Sequence, residues 1–390
     1  MKLKSLSLGE SSVTLIAAYL LSLIGSLVVM TGGALYELIL EVPLSESAVY
    51  NALTLSVGQL FMLLGGVLYL GAFRKKNYFS TFRFVGNGGL STKRVLLVPL
   101  ISIGAILLFS PFADAFVYLF MLMGYTPTGG ETFGVDTWQS ILLMAAATVL
   151  IAPLVEETLF RGVFIGGAKH RGSLFAVLFS GLIFMLVHAS PEQTVHQFFL
   201  GLILGYFAVT TGGIAYGLLL HACNNIIGLL FIIFPFDLTV TELAVMYAVW
   251  LVVGYLILAL ALPLFRRLGE REKAKRDNIP LPPALNLNET VKHDLIAPFL
   301  FLAKLFKGKR VFLKEFAAEF DAKYDLPESK EFVTELNATN AANENNTANT
   351  ELPTLFGTNK NEKKLPASML AILIGGAALW VINAVLNIFS

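Results

Sequence analysis

The sequence predicts an all-α membrane protein, a polytopic bundle of transmembrane helices, and three observations carry that prediction. Hydrophobic residues make up 56% of the 390-residue chain and charged residues only 14%, whereas soluble domains contain roughly 25% charged residues. The apolar residues gather into runs of about 20, the length that crosses a bilayer as a helix. The strict alternation of apolar and polar residues that marks a transmembrane β-barrel is absent from the sequence.

Eight of the apolar runs form the predicted core bundle, residues 1–265, and a ninth run follows a long polar tail. Their approximate bounds are 13–31, 51–73, 95–123, 137–160, 173–189, 196–212, 214–234 and 243–265, with the ninth at 367–389. In the tail, 266–366, the amphipathic basic stretch 295–320 is typical of a helix that lies on an anionic membrane face. Residues 336–363 are rich in Asn and Thr, which predicts a disordered linker.

Basic residues indicate which ends of the predicted helices face the cytoplasm. Alternate turns carry clusters of Lys and Arg, whereas the turns between them contain acidic residues and neither Lys nor Arg. The clusters are Arg74, Lys75, Lys76, Arg83, Lys93 and Arg94, then Lys169 and Arg171, then Arg266, Arg267, Arg271, Lys273, Lys275 and Arg276. Because basic loops stay in the cytoplasm, we expect a cytoplasmic N-terminus and an outside C-terminus, in the cell membrane if the source is bacterial.

Composition also limits the classes of partner and function. The net charge of +1 provides no field that would attract nucleic acid, so the expected partners are the lipid bilayer and a membrane-attached substrate. The single cysteine, Cys223, excludes a disulfide framework and a cysteine-rich metal cluster. The sequence shows no internal repeat of the kind that builds transporters, which makes a transporter or channel a weak alternative.

Ionisable residues are rare within the apolar runs, but two acidic residues lie near the end of the fourth run and an arginine follows it directly. Glu157 and Arg161 are four residues apart, so they share a helix face and can pair. Glu156 lies about 100° around the helix and is left without that partner. Acidic groups at membrane depth are costly and usually functional, which makes Glu156 a candidate general base. The alternative is a structural ion network at a helix end.

Two further segments place polar residues four apart: Phe184 with His188, and His221 with Asn225. Alone, each segment fits a structural role, such as a hydrogen bond to a carbonyl or between helices. Together with Glu156, they would supply a carboxylate, two imidazoles and an amide to one pocket. Glu156 would take a proton from water, the histidines would orient the water or hold a metal, and Asn225 would stabilise an oxyanion. This set indicates peptide-bond hydrolysis.

The same segments resemble the motifs of the CAAX prenyl protease and bacteriocin-processing (Abi) family. The run 152–162 resembles the EExxxR motif, 184–188 the FxxxH motif and 221–225 the HxxxN/D motif, in the order and spacing of the family. The resemblance covers about 137–234. It implies an intramembrane metalloprotease that acts on a membrane-attached protein or peptide, including a prenylated, CAAX-like one. It also implies an alternative, a non-enzymatic bacteriocin-immunity or scaffold protein.

The resemblance assigns a role to each motif residue. Glu156 is expected to activate water, Glu157 and Arg161 to support it, His188 to hold the water or a metal, and His221 with Asn225 to form the oxyanion or second-ligand pair. Glu156, His188 and His221 would suit Zn²⁺ with one open position. The resemblance leaves open whether zinc is required.

Overall fold

The computed structural model describes residues 6–41, 44, 47–86, 88–127, 137–278 and 365–389, and within them the chain forms nine long helices and no strand. They are α1 Leu8–Leu40, α2 Ala48–Leu68, α3 Thr92–Met121, α4 Trp138–Arg171, α5 Ser173–His188, α6 Thr194–Thr211, α7 Ala215–Ile233, α8 Val240–Arg276 and α9 Ala367–Phe389. Eight are long and apolar enough to cross a membrane, and α5, with 16 residues, is shorter. The prediction of a polytopic helical bundle is confirmed.

The helices extend beyond the apolar runs that predicted them. A capping box between Ser7 and Glu10 starts α1, and a second one between Thr239 and Glu242 starts α8. Such boxes satisfy backbone N–H groups that have no partner inside the helix. At its other end α8 continues past the predicted boundary at 265 to Arg276. Its last turns are charged but still helical, so hydropathy alone did not predict them. The predictions for 295–320 and 336–363 lie outside the described residues.

Contacts between turns show that successive helices run in opposite directions. Arg74 Nε and Lys76 Nζ, just after α2, each lie 2.8 Å from Glu10 Oε1 at the start of α1. At the same end of the bundle, the backbone N–H of Ala215 donates to the carbonyl of Phe84 over 2.9 Å. The starts of α1, α3 and α7 therefore lie together with the ends of α2 and α6.

The second half of α4 is the centre of the bundle. It contacts α1, α5, α6 and α7, while α2 packs against its first half. Leu159, Val163 and Phe164 on α4 are fully buried. Around them α5 and α6 approach closely, because a Cβ on Gly201 would lie only 2.8 Å from the Cα of Gly181. This packing places the motif residues of α4, α5 and α7 near one another.

Candidate active site

The backbone of α4 departs from α-helical geometry at the predicted acidic motif. Residues Ala152–Glu156 are α-helical, and Glu157 opens a π-helical stretch that runs to Phe164. Wider π turns inside α-helices are frequent at functional sites. The exposed fractions of Glu156 and Glu157 are only 8% and 0%. Two adjacent buried acidic side chains require specific partners.

Glu157 is held by a basic side chain of its own helix and by an imidazole of α7. Its Oε1 accepts a hydrogen bond from Arg161 Nη1 over 3.0 Å and lies 3.1 Å from His221 Nδ1. Arg161 Nη2 donates to the Gly201 carbonyl over 3.4 Å, and its guanidinium lies 4.2 Å from the centre of the Phe184 ring. The structure therefore contains the predicted Glu157–Arg161 pair and extends it to His221.

Glu156 faces two different partners. Its Oε1 accepts a hydrogen bond of 2.7 Å from Gln59 Nε2 of α2, and its Oε2 lies 3.8 Å from His221 Nε2. The sequence predicted no partner for Glu156, and Gln59 was not among the predicted site residues. The sequence signal that could have indicated Gln59 is its position, as an uncharged polar residue within the apolar run 51–73. His221 thus lies between the two acidic side chains, with one ring nitrogen toward each.

His188 is oriented by its own helix. Its Nδ1 lies 2.7 Å from the Phe184 carbonyl oxygen, so Nδ1 carries the proton and donates. In the neutral ring this leaves Nε2 as an acceptor. The Phe184 ring makes edge contacts with both imidazoles, at centroid distances of 4.7 Å to His188 and 5.7 Å to His221. The fully buried Phe184 thereby fixes the relative positions of the two histidines.

Asn225 contacts the backbone of α4. Its Nδ2 donates to the carbonyl of Thr148 over 2.7 Å, and Thr148 lies within the π-helical stretch Ala146–Ile151. The neighbouring Asn224 donates to Asn225 Oδ1 over 3.4 Å and places its own Oδ1 3.2 Å from His196 Nε2. His196 and Asn224 were not among the predicted site residues. They add an imidazole of α6 to the polar network. This contact joins two helices, so an i, i+4 spacing within one helix could not predict it.

The three residues predicted as possible zinc ligands, Glu156, His188 and His221, each use one polar atom for a protein contact and keep the other. The residue types of Glu156, His188 and His221 suit Zn²⁺, but no three His, Cys, Asp or Glu side chains of the described residues come together around one point. Gln59 occupies one Glu156 oxygen, and Glu157 occupies one nitrogen of His221. Glu156 Oε2, His188 Nε2 and His221 Nε2 are the atoms that would hold a zinc ion, and zinc binding stays a prediction.

Comparison with known proteins shows what the motif segment is similar to. Residues 138–227 match the family model of type II CAAX prenyl endopeptidase Rce1-like proteins. A stretch of 97 residues is 32% identical to an uncharacterized 24.3 kDa protein of Escherichia coli. That match covers 23% of this chain and 45% of the relative, so the matched region is about half the length of that protein. No solved structure matches the chain.

The matched segment contains nearly the whole candidate site. It includes Glu156 and Glu157 on α4, His188 on α5 and His221 on α7, and it leaves out Gln59. The three motifs predicted from the sequence all fall inside it. Residues 138–227 of this membrane-embedded helical bundle are therefore similar to the Rce1-like type II CAAX prenyl endopeptidases.

Proposed function

We propose that this protein is an intramembrane endopeptidase that hydrolyses a peptide bond in a membrane-attached protein or peptide, including a prenylated, CAAX-like one. The observation that carries the proposal is the position of Glu156. Its carboxylate is buried, accepts a hydrogen bond from Gln59 and faces the imidazole of His221 across 3.8 Å. The family match over residues 138–227 supports the same class of reaction.

The chemistry needs one proton acceptor and one proton donor. A water between Glu156 and His188 would give a proton to the Glu156 carboxylate while its oxygen attacks the peptide carbonyl carbon. The C–N bond then breaks, and the new amine takes from Glu156 the proton that the water gave up, which returns Glu156 to its carboxylate form. Glu157 accepts the Nδ1–H of His221, which orients the other ring nitrogen toward the reacting groups.

The oxyanion role expected for Asn225 needs one exchange of partners. In the structure its amide donates to the Thr148 carbonyl, so a substrate carbonyl would have to replace that acceptor. A change in a side-chain torsion would redirect the amide without a change of the backbone.

The test is a cleavage assay with the full chain in proteoliposomes. The probe is a quenched fluorogenic peptide with an S-farnesylated cysteine three residues before its C-terminus, beside an unprenylated twin. We expect Glu156→Gln to lower kcat by roughly 10²–10⁴-fold, the usual contribution of a general base. The matched control is Asp114→Asn, since Asp114 pairs with Tyr247 of α8 and not with the site; its kcat should change less than about twofold.

The assay separates the proposal from its alternative. Undiminished cleavage by Glu156→Gln would contradict the role of Glu156. A bacteriocin-immunity or scaffold protein of the same family predicts no cleavage of either peptide by the unmodified chain. It also predicts that partner binding in a pull-down from membranes is the same for the unmodified chain and for Glu156→Gln.

A further inference from the structure

A cavity of about 460 Å³ opens at the end of the bundle where α4, α6 and α8 end. Its walls come from the loop before α3, the last turns of α4, the turn between α6 and α7, and the last turns of α8. Arg161 lines the cavity, whereas Glu156, His188 and His221 do not. The cavity is therefore separate from the candidate active site and adjoins it only through Arg161.

The lining of the cavity is strongly basic. Seven basic side chains and one acidic side chain contribute to it: Arg83, Arg94, Arg161, Lys169, Arg266, Lys273 and Arg276, with Glu270 as the acid. Some of the positive charge is compensated, since Arg161 pairs with Glu157 and Arg276 with Asp277. Arg83 and Lys169 make no ion pair among the described residues. Like charges gathered in one concave site attract an anion.

Arg94 forms a buried part of the lining. Only 4% of it is exposed, and its guanidinium stacks 4.1 Å from the Phe265 ring centre and 4.5 Å from that of Tyr216. Its ion pair with Glu272 is long, at 3.7 Å, and its Nε has no hydrogen-bond acceptor among the described residues. A buried N–H without an acceptor costs free energy, and an anion in the cavity would remove that cost.

Arg161 repeats this arrangement on the other side of the cavity. It is 3% exposed, and its Nε likewise has no acceptor within the described part of the chain. Two buried guanidinium groups with unused N–H donors therefore line a cavity whose rim carries the exposed side chains of Arg83 and Lys169. Guanidinium forks match the oxygen geometry of phosphate and carboxylate groups.

The walls of the cavity are held in place without a ligand. The backbone N–H groups of Ile214 and Ala215 both donate to the Phe84 carbonyl. The two loops touch at glycines, because a Cβ on Gly213 would lie 2.3 Å from the backbone nitrogen of Gly86. A preformed site loses less entropy on binding than one that must first be ordered.

We propose that this cavity binds a phosphate group, carried either by the headgroup of an anionic phospholipid or by free phosphate. The cavity lies at the end of the bundle, at the depth where lipid headgroups meet a membrane protein. A phosphate there compensates the exposed side chains of Arg83 and Lys169 and lies beside the buried guanidinium groups of Arg94 and Arg161 that contribute to the lining. The proposal is independent of the proteolytic function, because none of its groups except Arg161 belongs to the candidate active site.

The test measures binding to the purified full chain. In one arm inorganic phosphate is titrated into protein in neutral detergent, with chloride at equal ionic strength as reference. In the other arm the detergent micelles contain phosphatidic acid or phosphatidylcholine, and retained lipid is counted by native mass spectrometry. The double variant Arg83→Gln/Lys169→Gln should raise the Kd for the bound phosphate compound at least about tenfold, through loss of two charge-assisted contacts.

The matched control is Lys75→Gln/Lys93→Gln, which removes the same charge from exposed residues at the same end of the bundle, outside the cavity lining. It should change that Kd less than about twofold. Binding of phosphatidic acid alone identifies a lipid headgroup, and binding of inorganic phosphate shows that the free anion suffices. Equal weakening by both double variants, or no saturable binding in either arm, would overturn the proposal.

Discussion

Gln59 holds the carboxylate of the candidate general base from a helix that lies outside the segment matched by the family model. The bond from its Nε2 to Glu156 Oε1 is 2.7 Å and buried. A neutral donor such as the Gln59 amide orients the carboxylate without neutralising its charge, as an Arg or Lys would. A general base needs that charge because it must accept a proton. By contrast Glu157, which is paired with Arg161, is poorly suited to act as a base. The two adjacent glutamates therefore have different partners, and this difference is the reason that the proposed base is Glu156.

Replacing Gln59 tests this positioning role. Gln59→Leu keeps the volume of the side chain and removes the donor, so kcat should fall about tenfold or more, as expected for loss of a hydrogen bond to a charged group. KM should change little, because Gln59 orients Glu156 and does not bind substrate. The measurement is steady-state cleavage of the prenylated peptide.

The matched control for Gln59 is Thr54→Val on the same helix. The Thr54 hydroxyl bonds only the Tyr50 carbonyl of its own helix, so kcat should stay within about twofold. A Gln59→Leu enzyme whose kcat equals that of the unmodified chain would show that Glu156 does not depend on this contact.

Sequence spacing predicted the residues of the site better than it predicted their contacts. The pair Glu157–Arg161 follows from positions four apart on one helix, and it forms even on a π-helical stretch because the Arg side chain is long and flexible. The contact between Gln59 and Glu156 joins residues 97 apart in the chain. No periodicity within one helix encodes such a contact, since it depends on how α2 packs against α4.

At the scale of whole elements, α9 is part of the bundle. It packs against α1 and α5, and its polar side chains bind the turn between α5 and α6. Trp380 Nε1 donates to Thr194 Oγ1 over 2.7 Å, and Asn383 Nδ2 donates to the Ala189 carbonyl. That turn connects His188 to His196. The sequence predicted α9 as a ninth span from its hydropathy, and the structure adds that it supports the turn that joins two histidines of the site.

Removing those contacts should lower the free energy of unfolding. Substitutions of the α9 residues that contact the turn should lower it more than a substitution of an exposed α9 residue. Trp380→Phe and Asn383→Leu each delete one hydrogen bond to the α5–α6 turn, which should cost about 0.5–1.5 kcal/mol each. The midpoint of thermal unfolding in detergent, followed by circular dichroism, would report the loss. Leu386→Ala serves as the control because Leu386 is 65% exposed; equal shifts for all three variants would contradict a specific role of the turn contacts.

At the scale of the molecule, the structure gathers charges at the ends of the bundle as the alternating turns predicted. Arg83, Arg94, Lys169 and Arg266 line one cavity at one end. The described turns at the opposite end contain Glu192 and Asp237 and neither Lys nor Arg. The sequence could predict this arrangement because membrane topology depends on loop charge, which is local. The extent of α8 could not be predicted in the same way, because its last turns are helical but not apolar.

The charge asymmetry leads to a prediction about orientation: the basic end faces the cytoplasm. Because the chain has one cysteine, a Cys223→Ser background accepts single new cysteines. Asp237→Cys, in the exposed turn before α8, should react with a membrane-impermeant maleimide in intact cells. Lys75→Cys, in the exposed turn after α2, should react only after the membrane is permeabilised. Labelling of Lys75→Cys in intact cells, with Asp237→Cys protected, would reverse the orientation and place the phosphate cavity on the outer face.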